Sequence, residues 1–207
     1  MAAGTAIRSF AAPATLPEGI AFDGHSLWLY TVTGGDLYQL DPVSGQVIRS
    51  FSGPGGDPRG LAWDGAHLWM ARPGSDLLSQ LDPVSTAVVR SIAAPNTNVF
   101  GLAFDGRSLW AADRVANVIY QVDPTTRAAI RSFASPVSDP RSLATDGRRL
   151  WVGNFGASTI YQVDTVTGRL IGSFAGPTTG VSGLTFDGRT LWFVSEGGAT
   201  LYQLAVS

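Results

Sequence analysis

The sequence predicts an all-β fold, a β-propeller of five blades. Two observations carry this prediction: one segment recurs at a fixed interval, and every copy contains four short strand-like stretches separated by turn residues. The segment Gly-Ile-Ala-Phe-Asp-Gly begins at Gly19, and its equivalents begin every 41 residues at Gly60, Gly101, Ser142 and Gly183. A four-stranded unit of about 40 residues has the size of one propeller blade.

Each repeat divides into four predicted strands, A to D. In the first repeat, strand A covers 19–22, strand B 27–31, strand C 37–40 and strand D 47–51. Asp23 and Gly24 mark a tight hairpin between strands A and B, because such turns favour Gly and residues that tolerate positive φ. An isolated unit of this kind leaves both apolar faces uncovered, so the repeats must stack around an axis.

The fifth repeat lacks strand D, and the chain supplies that strand at its other end. Residues 7–10, Ile-Arg-Ser-Phe, repeat the strand D sequence of residues 48–51. Five repeats of 41 residues make 205, so residue 206 falls on the position of residue 1. We therefore expect one domain over 1–207, in which residues 1–18 form the closing outer strand of blade 5 and a loop, and blades begin near 19, 60, 101, 142 and 183. Closure removes the exposed edge of an open stack.

Composition agrees with this fold and excludes several classes of function. Only 14% of the residues are charged, while 25 Gly and 12 Pro fit many short strands and turns. The formal net charge of −2 lacks the basic footprint of nucleic-acid or anionic-membrane binding. The absence of Cys excludes thiol catalysis, Cys-ligated zinc and disulfides. We expect a soluble monomer without a signal peptide, with the compartment open and an exported origin allowed.

Residues that recur in every repeat are expected to be scaffold residues. The Asp of each A-to-B turn is predicted to form the turn, the Trp of strand B to fill the space between blades, and the Gln of strand C to act as a hydrogen-bonding strut. These residues are Asp23, Asp64, Asp105, Asp146 and Asp187; Trp28, Trp69, Trp110, Trp151 and Trp192; and Gln39, Gln80, Gln121, Gln162 and Gln203.

Two sets of equivalent positions vary instead. One set directly precedes strand A, and the other follows the Trp at the end of strand B; the loops that carry them surround one mouth of a propeller's channel. Because a scaffold position repeats its residue type, this variety predicts a ligand face, with drift in solvated loops as the alternative. The candidate ligand-binding residues are Glu18, Arg59, Arg72, Phe100, Asp113, Arg114, Arg141, Asn154, Phe155, Ser195 and Glu196.

The residue types at this mouth indicate binding chemistry. Glu18 and Glu196 are the only two Glu of the chain, and ring closure brings blade 5 beside blade 1, so they are expected in one sector, as an acid–base pair or as solvated or Arg-paired carboxylates. The arginines suit a carboxylate or phosphate, and the phenylalanines suit stacking. No His cluster, Ser-His-Asp set or phosphate loop occurs, so we predict no metal, no cofactor and no catalytic residue.

The repeat resembles those of NHL, streptogramin-lyase-like and quinoprotein-like propellers, on Gly-Leu-Ala-Phe-Asp-Gly, Leu-Trp, Tyr-Gln-Val-Asp-Pro and Ile-Arg-Ser-Phe, over the whole chain. A narrower resemblance is to plant-type glutaminyl cyclases, five-bladed propellers with a Thr-Glu-Gly-Leu-like segment. Residues 17–20, Pro-Glu-Gly-Ile, match that segment. The resemblance implies a functional role for Glu18.

Three hypotheses for function follow, because propellers host unrelated activities. The leading one is a non-enzymatic binding module whose mouth takes a small molecule, a glycan or a peptide. The second is an enzyme of glutaminyl-cyclase or lyase type. The third is a minimal, repeat-amplified or engineered propeller without a ligand. No nucleic-acid or membrane partner is expected.

Overall fold

Five antiparallel sheets of four strands each form the molecule. The structure is a computed structural model that describes residues 1–55 and 57–206. Neighbouring sheets share hydrophobic clusters, including one between the last sheet and the first, so the sheets are the blades of a closed ring. The prediction of an all-β, five-bladed propeller is confirmed.

The strands run outward in sequence order within each blade. Blade 1 contains β2 (Pro17–Phe22), β3 (Leu27–Thr31), β4 (Asp36–Leu40) and β5 (Val47–Ser52); blade 2 contains β6 (Leu61–Trp63), β7 (Leu68–Arg72), β8 (Leu77–Leu81) and β9 (Val88–Ala93). Blade 3 contains β10 (Val99–Phe104), β11 (Leu109–Asp113), β12 (Val118–Val122) and β13 (Ala129–Ala134). Blade 4 contains β14 (Pro140–Thr145), β15 (Arg149–Asn154), β16 (Thr159–Asp164) and β17 (Leu170–Ala175). Blade 5 contains β18 (Val181–Phe186), β19 (Leu191–Ser195) and β20 (Thr200–Leu204), and β1 (Ala6–Ala11) is its outer strand.

One short 3₁₀ turn, Pro73–Ser75, interrupts the loop between β7 and β8. Within the described ranges, no helix has the length and apolar character needed to span a membrane.

The ring closes as the sequence predicts. Strand β1 pairs antiparallel with β20, and Phe10 on β1 stacks on Trp192 with ring centroids 6.1 Å apart. The equivalent pair in blade 1, Phe51 on Trp28, has the same separation. The outer strand of blade 5 is therefore held by the same strand pairing and ring stacking as the outer strand of blade 1, although β1 is not joined to β20 by a covalent turn.

The two chain ends also reproduce a turn of the other blades. The Ala205 N–H donates to the Thr5 carbonyl, and the Gly4 N–H donates to the Ala205 carbonyl, both at 2.9 Å. The same two bonds close the C-to-D turn over residues 41–46 of blade 1. Two ends of the chain thus replace one continuous turn without changing its hydrogen bonds.

The tryptophans of the B strands fill the space between blades, and none is more than 1% exposed. In four blades the indole Nε1–H donates to the Asp of the A-to-B turn, as Trp110 does to Asp105 at 2.8 Å. The other carboxylate oxygen of each Asp accepts main-chain N–H groups of the turn. The repeated Asp therefore forms the turn, as predicted, and also fixes the tryptophan.

The repeated Gln extends this network in blades 1 to 3. An arginine of strand D donates its Nε–H to the Gln Oε1 at 2.7–2.8 Å, and its terminal nitrogens reach a main-chain carbonyl in the C-to-D turn of the next blade. The guanidinium also lies over the Trp ring of its own blade. We call this arrangement the arginine lock; its members are Arg49 on Gln39, Arg90 on Gln80 and Arg131 on Gln121.

Blade 4 departs from the pattern. Gly172 occupies the position of the lock arginine, and Arg149 of strand B lies over Trp151 instead, with its guanidinium carbon 5.5 Å from the ring centroid. Arg149 Nε–H donates to Asp146 Oδ2 at 3.0 Å, the oxygen that accepts the indole N–H in the other blades. As a result, the buried Trp151 Nε1 has no hydrogen-bond partner among the described residues.

This difference gives a stability prediction. Trp110→Phe removes a hydrogen bond to a carboxylate, whereas Trp151→Phe removes an indole N–H that has no acceptor, and both substitutions delete the same ring volume. Because a hydrogen bond to a charged group contributes about 1.5–3 kcal/mol, we expect W110F to lower the free energy of unfolding by that much more than W151F. Urea unfolding followed by tryptophan fluorescence and circular dichroism measures both. Equal losses, or a larger loss for W151F, would show that the Asp–Trp bond does not stabilise the blade.

Candidate functional site

The upper mouth of the channel lies on the side of the D-to-A and B-to-C loops, and the inner strands of blades 1, 3, 4 and 5 each carry a β-bulge there. Strand pairing skips one residue between Val99 and Gly101, and likewise between Val181 and Gly183, so the intervening residue has no partner on the next strand. The extra residues are Phe100, Arg141 and Ser182, and the equivalent step in blade 1 contains Glu18. A bulge redirects a side chain that regular pleating would fix.

These positions differ from the sequence-based assignment in one respect. We expected them in loops before strand A, but β2, β10, β14 and β18 each begin two residues earlier than predicted and include them. Only Arg59 precedes its strand, and even there the Arg59 N–H and the Gly60 carbonyl bond to Ala71 of the next strand. The side chains that vary are therefore held by rigid strands rather than by flexible loops.

Below the bulges the channel is almost closed. A Cβ atom added to Gly19, Gly60 or Gly183 would overlap the main-chain oxygen of the neighbouring inner strand. This close approach, which only glycine permits, leaves a cavity of about 10 Å³, room for one water molecule at most. A ligand at the upper mouth must therefore lie on the rim above this constriction.

Blades 5 and 1 supply the acid side of the mouth, Glu18 and Glu196. The Glu18 side chain is only 2% exposed, and its Oε1 accepts a hydrogen bond from Arg59 at 2.7 Å. Burial raises the pKa of Glu18 to about 7; the Arg59 charge opposes this shift, and the nearby Glu196 carboxylate adds to it. Glu196 Oε2 is buried without a hydrogen-bond partner among the described residues. The acid side is thus short of one hydrogen-bond donor or positive charge.

Blades 3 and 4 supply the arginine side, Arg114 and Arg141. Both face one carboxylate: Arg114 Nε lies 2.9 Å from Asp139 Oδ1 in an ion pair without hydrogen-bond geometry, and Arg141 Nε–H donates to the same oxygen at 3.2 Å. The terminal nitrogens of these two guanidinium groups make no hydrogen bond within the described part of the chain. Asp139 therefore orients two guanidinium groups and leaves their outer donors available.

Phe100 lies between the two sides. The guanidinium carbons of Arg59, Arg114 and Arg141 lie 5.2, 4.8 and 5.7 Å from its ring centroid. Arg141 also stacks on Phe155, 3.8 Å from that centroid. Cation–π contacts of this kind hold long side chains in place, so the mouth is a preorganised cluster.

The acidic partners of these arginines were missed in the sequence. Asp57 accepts a hydrogen bond from Arg59 at 2.6 Å. At the equivalent position two blades later, Asp139 forms an ion pair with Arg141. Asp-Pro-Arg at 57–59 recurs at 139–141, and this repeated tripeptide was the available signal.

The residues at the ends of the B strands vary between blades and were predicted to bind ligand, but several of them bond to the main chain of the rim instead. Asp113 Oδ1 accepts the N–H groups of Val115 and Ala116, while Asp113 Oδ2 is buried without a hydrogen-bond partner among the residues described. Asn154 and Ser195 also hydrogen-bond main-chain atoms of the rim loops.

Arg72 does not join the arginine side either. Its guanidinium is directed to Ser79 Oγ in its own blade, at 3.4 Å. Among residues 1–55 and 57–206, no three His, Cys, Asp or Glu side chains are grouped to hold a metal ion.

Comparisons with known proteins agree with the fold. No protein-family model matches the chain, and no match was found among curated proteins. Among solved structures, glutaminyl cyclase of Myxococcus xanthus matches with a TM-score of 0.83 and 18% identity, over 98% of this chain and 97% of that one.

Two further structures are more distant. Virginiamycin B lyase of Staphylococcus aureus has a TM-score of 0.57 at 19% identity, over 96% of this chain and 69% of that one. A chain of a mitotic checkpoint complex has a TM-score of 0.58 at 13% identity, over 98% and 92%. At these identities the matches show the fold alone, and the resemblance of this chain to glutaminyl cyclase and streptogramin lyase propellers is confirmed at that level.

Proposed function

We propose that this chain is a binding propeller whose upper mouth takes a small zwitterionic ligand, such as an amino acid or a short peptide. The observation that carries the proposal is the separation of two unlike charges around Phe100: the acid side on blades 5 and 1, and the arginine side on blades 3 and 4. A zwitterion presents an ammonium group and a carboxylate, one for each side.

The acid side suits an ammonium group. An ammonium between Glu18 and Glu196 gives Glu196 Oε2 the donor that it lacks and relieves the repulsion between the two carboxylates. The arginine side suits a carboxylate, because guanidinium groups bind carboxylates through paired, charge-assisted N–H donors. The constriction below the rim keeps such a ligand at the surface of the mouth, where its side chain stays accessible to solvent.

Affinity for free amino acids and dipeptides tests this function. Calorimetric titration of the chain should detect binding that N-acetylation of the ligand weakens, and Glu196→Gln or Arg114→Ala should weaken it by about 10- to 100-fold, the equivalent of one charge-assisted hydrogen bond. Asp76→Asn and Arg72→Ala are the matched controls, because Asp76 is an exposed acid of the blade 2 rim and Arg72 lies outside the arginine side. No heat with any zwitterion, or equal binding by E196Q, would contradict the proposal.

The pH dependence supplies an independent readout. An ammonium binds ionised Glu18 better than neutral Glu18, so binding releases a proton below the pKa of about 7. Affinity of the unmodified chain should rise about tenfold between pH 6 and pH 8, as Glu18 loses its proton. The Glu18→Gln variant should show no such rise. A flat profile for the unmodified chain would remove Glu18 from the site.

A second candidate function is cyclisation of N-terminal glutamine, which the match to glutaminyl cyclase over both whole chains favours. In that reaction the α-amino nitrogen attacks the γ-carbonyl carbon of the side chain, a lactam forms, and ammonia leaves. Glu18 would accept the proton of the attacking amine and return it to the leaving nitrogen. A carboxyl group with a pKa of about 7 is suited to both transfers at neutral pH.

Ammonia release from a peptide with N-terminal glutamine tests this second function. If Glu18 transfers the proton, Glu18→Gln should lower the rate by about 10²-fold or more, and Arg72→Ala should leave it unchanged. Ammonia release no faster than in buffer would exclude the cyclase while the binding measurements above still stand on their own.

A further inference from the structure

A groove opens on the lower side of the ring, where the closing strand meets blade 1. It has a volume of about 340 Å³, within the size range of small-ligand sites. Arg8 of β1, Arg189 and Gln203 of blade 5, and Phe22 and Pro42 of blade 1 line it. We call it the seam groove.

The arginine lock is incomplete beside this groove. Arg8 occupies the lock position and reaches the Val43 carbonyl of blade 1 at 3.2 Å, as its counterparts reach the next blade. Unlike them, Arg8 makes no hydrogen bond to the Gln of its blade. Gln203 Oε1 is consequently buried with no donor among the described residues.

We propose that the seam groove is a second ligand site, for a monosaccharide that carries a carboxylate or a phosphate. The charge of the groove favours an anion. Neither Arg8 nor Arg189 forms an ion pair within the described ranges. Asp187, the one acid of the groove, already accepts five hydrogen bonds from its turn, Thr190, Trp192 and Gln203. Both guanidinium groups therefore line the groove without an acidic partner, which favours an anionic ligand.

The other polar and apolar groups of the groove suit a ligand that has both hydroxyl groups and an apolar face. Gln203 Oε1 needs a hydrogen-bond donor, which an ionised carboxylate cannot supply and a sugar hydroxyl can. Phe22 is partly exposed, and with Pro42 it offers an apolar wall to the C–H face of a sugar ring. A charged sugar matches all three features together.

Titration with glucuronate, glucose 6-phosphate, glucose and inorganic phosphate tests the proposal. By ligand-observed NMR and calorimetry, the two charged sugars should bind at least about tenfold more tightly than glucose or inorganic phosphate, because only they combine an anionic group for the arginines with hydroxyls for Gln203 and a ring face for Phe22 and Pro42. Carboxylate and phosphate are distinguished by which of the two charged sugars binds more tightly. Equal binding of glucose and its acids, or of phosphate and the sugar phosphate, would overturn the proposal.

Variants locate the binding in the groove. Arg189→Ala and Arg8→Ala should each weaken binding of the charged sugars by about tenfold or more. Arg148→Ala is the matched control, since Arg148 occupies the same turn position one blade earlier and is exposed. Glu196→Gln and Arg114→Ala separate this site from the upper mouth and should leave sugar binding unchanged. Unchanged affinity in R189A and R8A, or an equal loss in R148A, would refute the assignment.

Discussion

The contact on which the structure depends is the close approach of the five inner strands at the axis. At Gly19, Gly60 and Gly183 the neighbouring strand lies so near that no Cβ atom fits. This approach closes the channel to a cavity of about 10 Å³. Directly above the constriction, the inner strands of blades 1, 3, 4 and 5 each carry one residue in a bulge. The upper mouth is therefore a result of how the blades converge.

The lower and upper sides of the ring differ in which positions of the repeat keep the same residue type. On the lower side, Asp, Trp, Gln and Arg recur and bond to one another, so the blades are joined by the same network several times over. On the upper side, the residue at the equivalent position differs between blades, and the five copies are an acid, two arginines, a phenylalanine and a serine. The residues that recur in the blades hold the scaffold together. The residues that differ produce an asymmetric arrangement of charge, to which each blade contributes one side chain.

The repeat interval predicted the number of blades and the closing strand, because both follow from counting residues. It could not predict which varied side chains meet. Arg72 and Arg114 occupy neighbouring positions of successive repeats, yet one is directed to Ser79 and the other stacks on Phe100. Which contact each arginine makes depends on the direction of its side chain at the end of a strand, and the residue type alone does not predict that direction. The pairing of Glu18 with Arg59 likewise depends on the bulges, which appear only once two strands are in register.

The same limit applies to identical text. Ile-Arg-Ser-Phe occurs at 7–10 and at 48–51, but Arg49 bonds to its Gln and Arg8 does not. Strand β1 is joined to β20 by hydrogen bonds rather than by a covalent turn. The identical sequence does not reveal which of the two arginines reaches the Gln of its blade.

The bonds between Ala205, Thr5 and Gly4 have a wider consequence. Because they match those of an intact turn, the backbone hydrogen bonds of the ring do not depend on where the polypeptide begins. Joining Val206 directly to Ala2 would give a turn of native length, and the backbone could then be opened at another C-to-D turn, whose strand D would take over the closing role. The present order of blades along the chain is therefore one of five orders that could form the same ring of backbone.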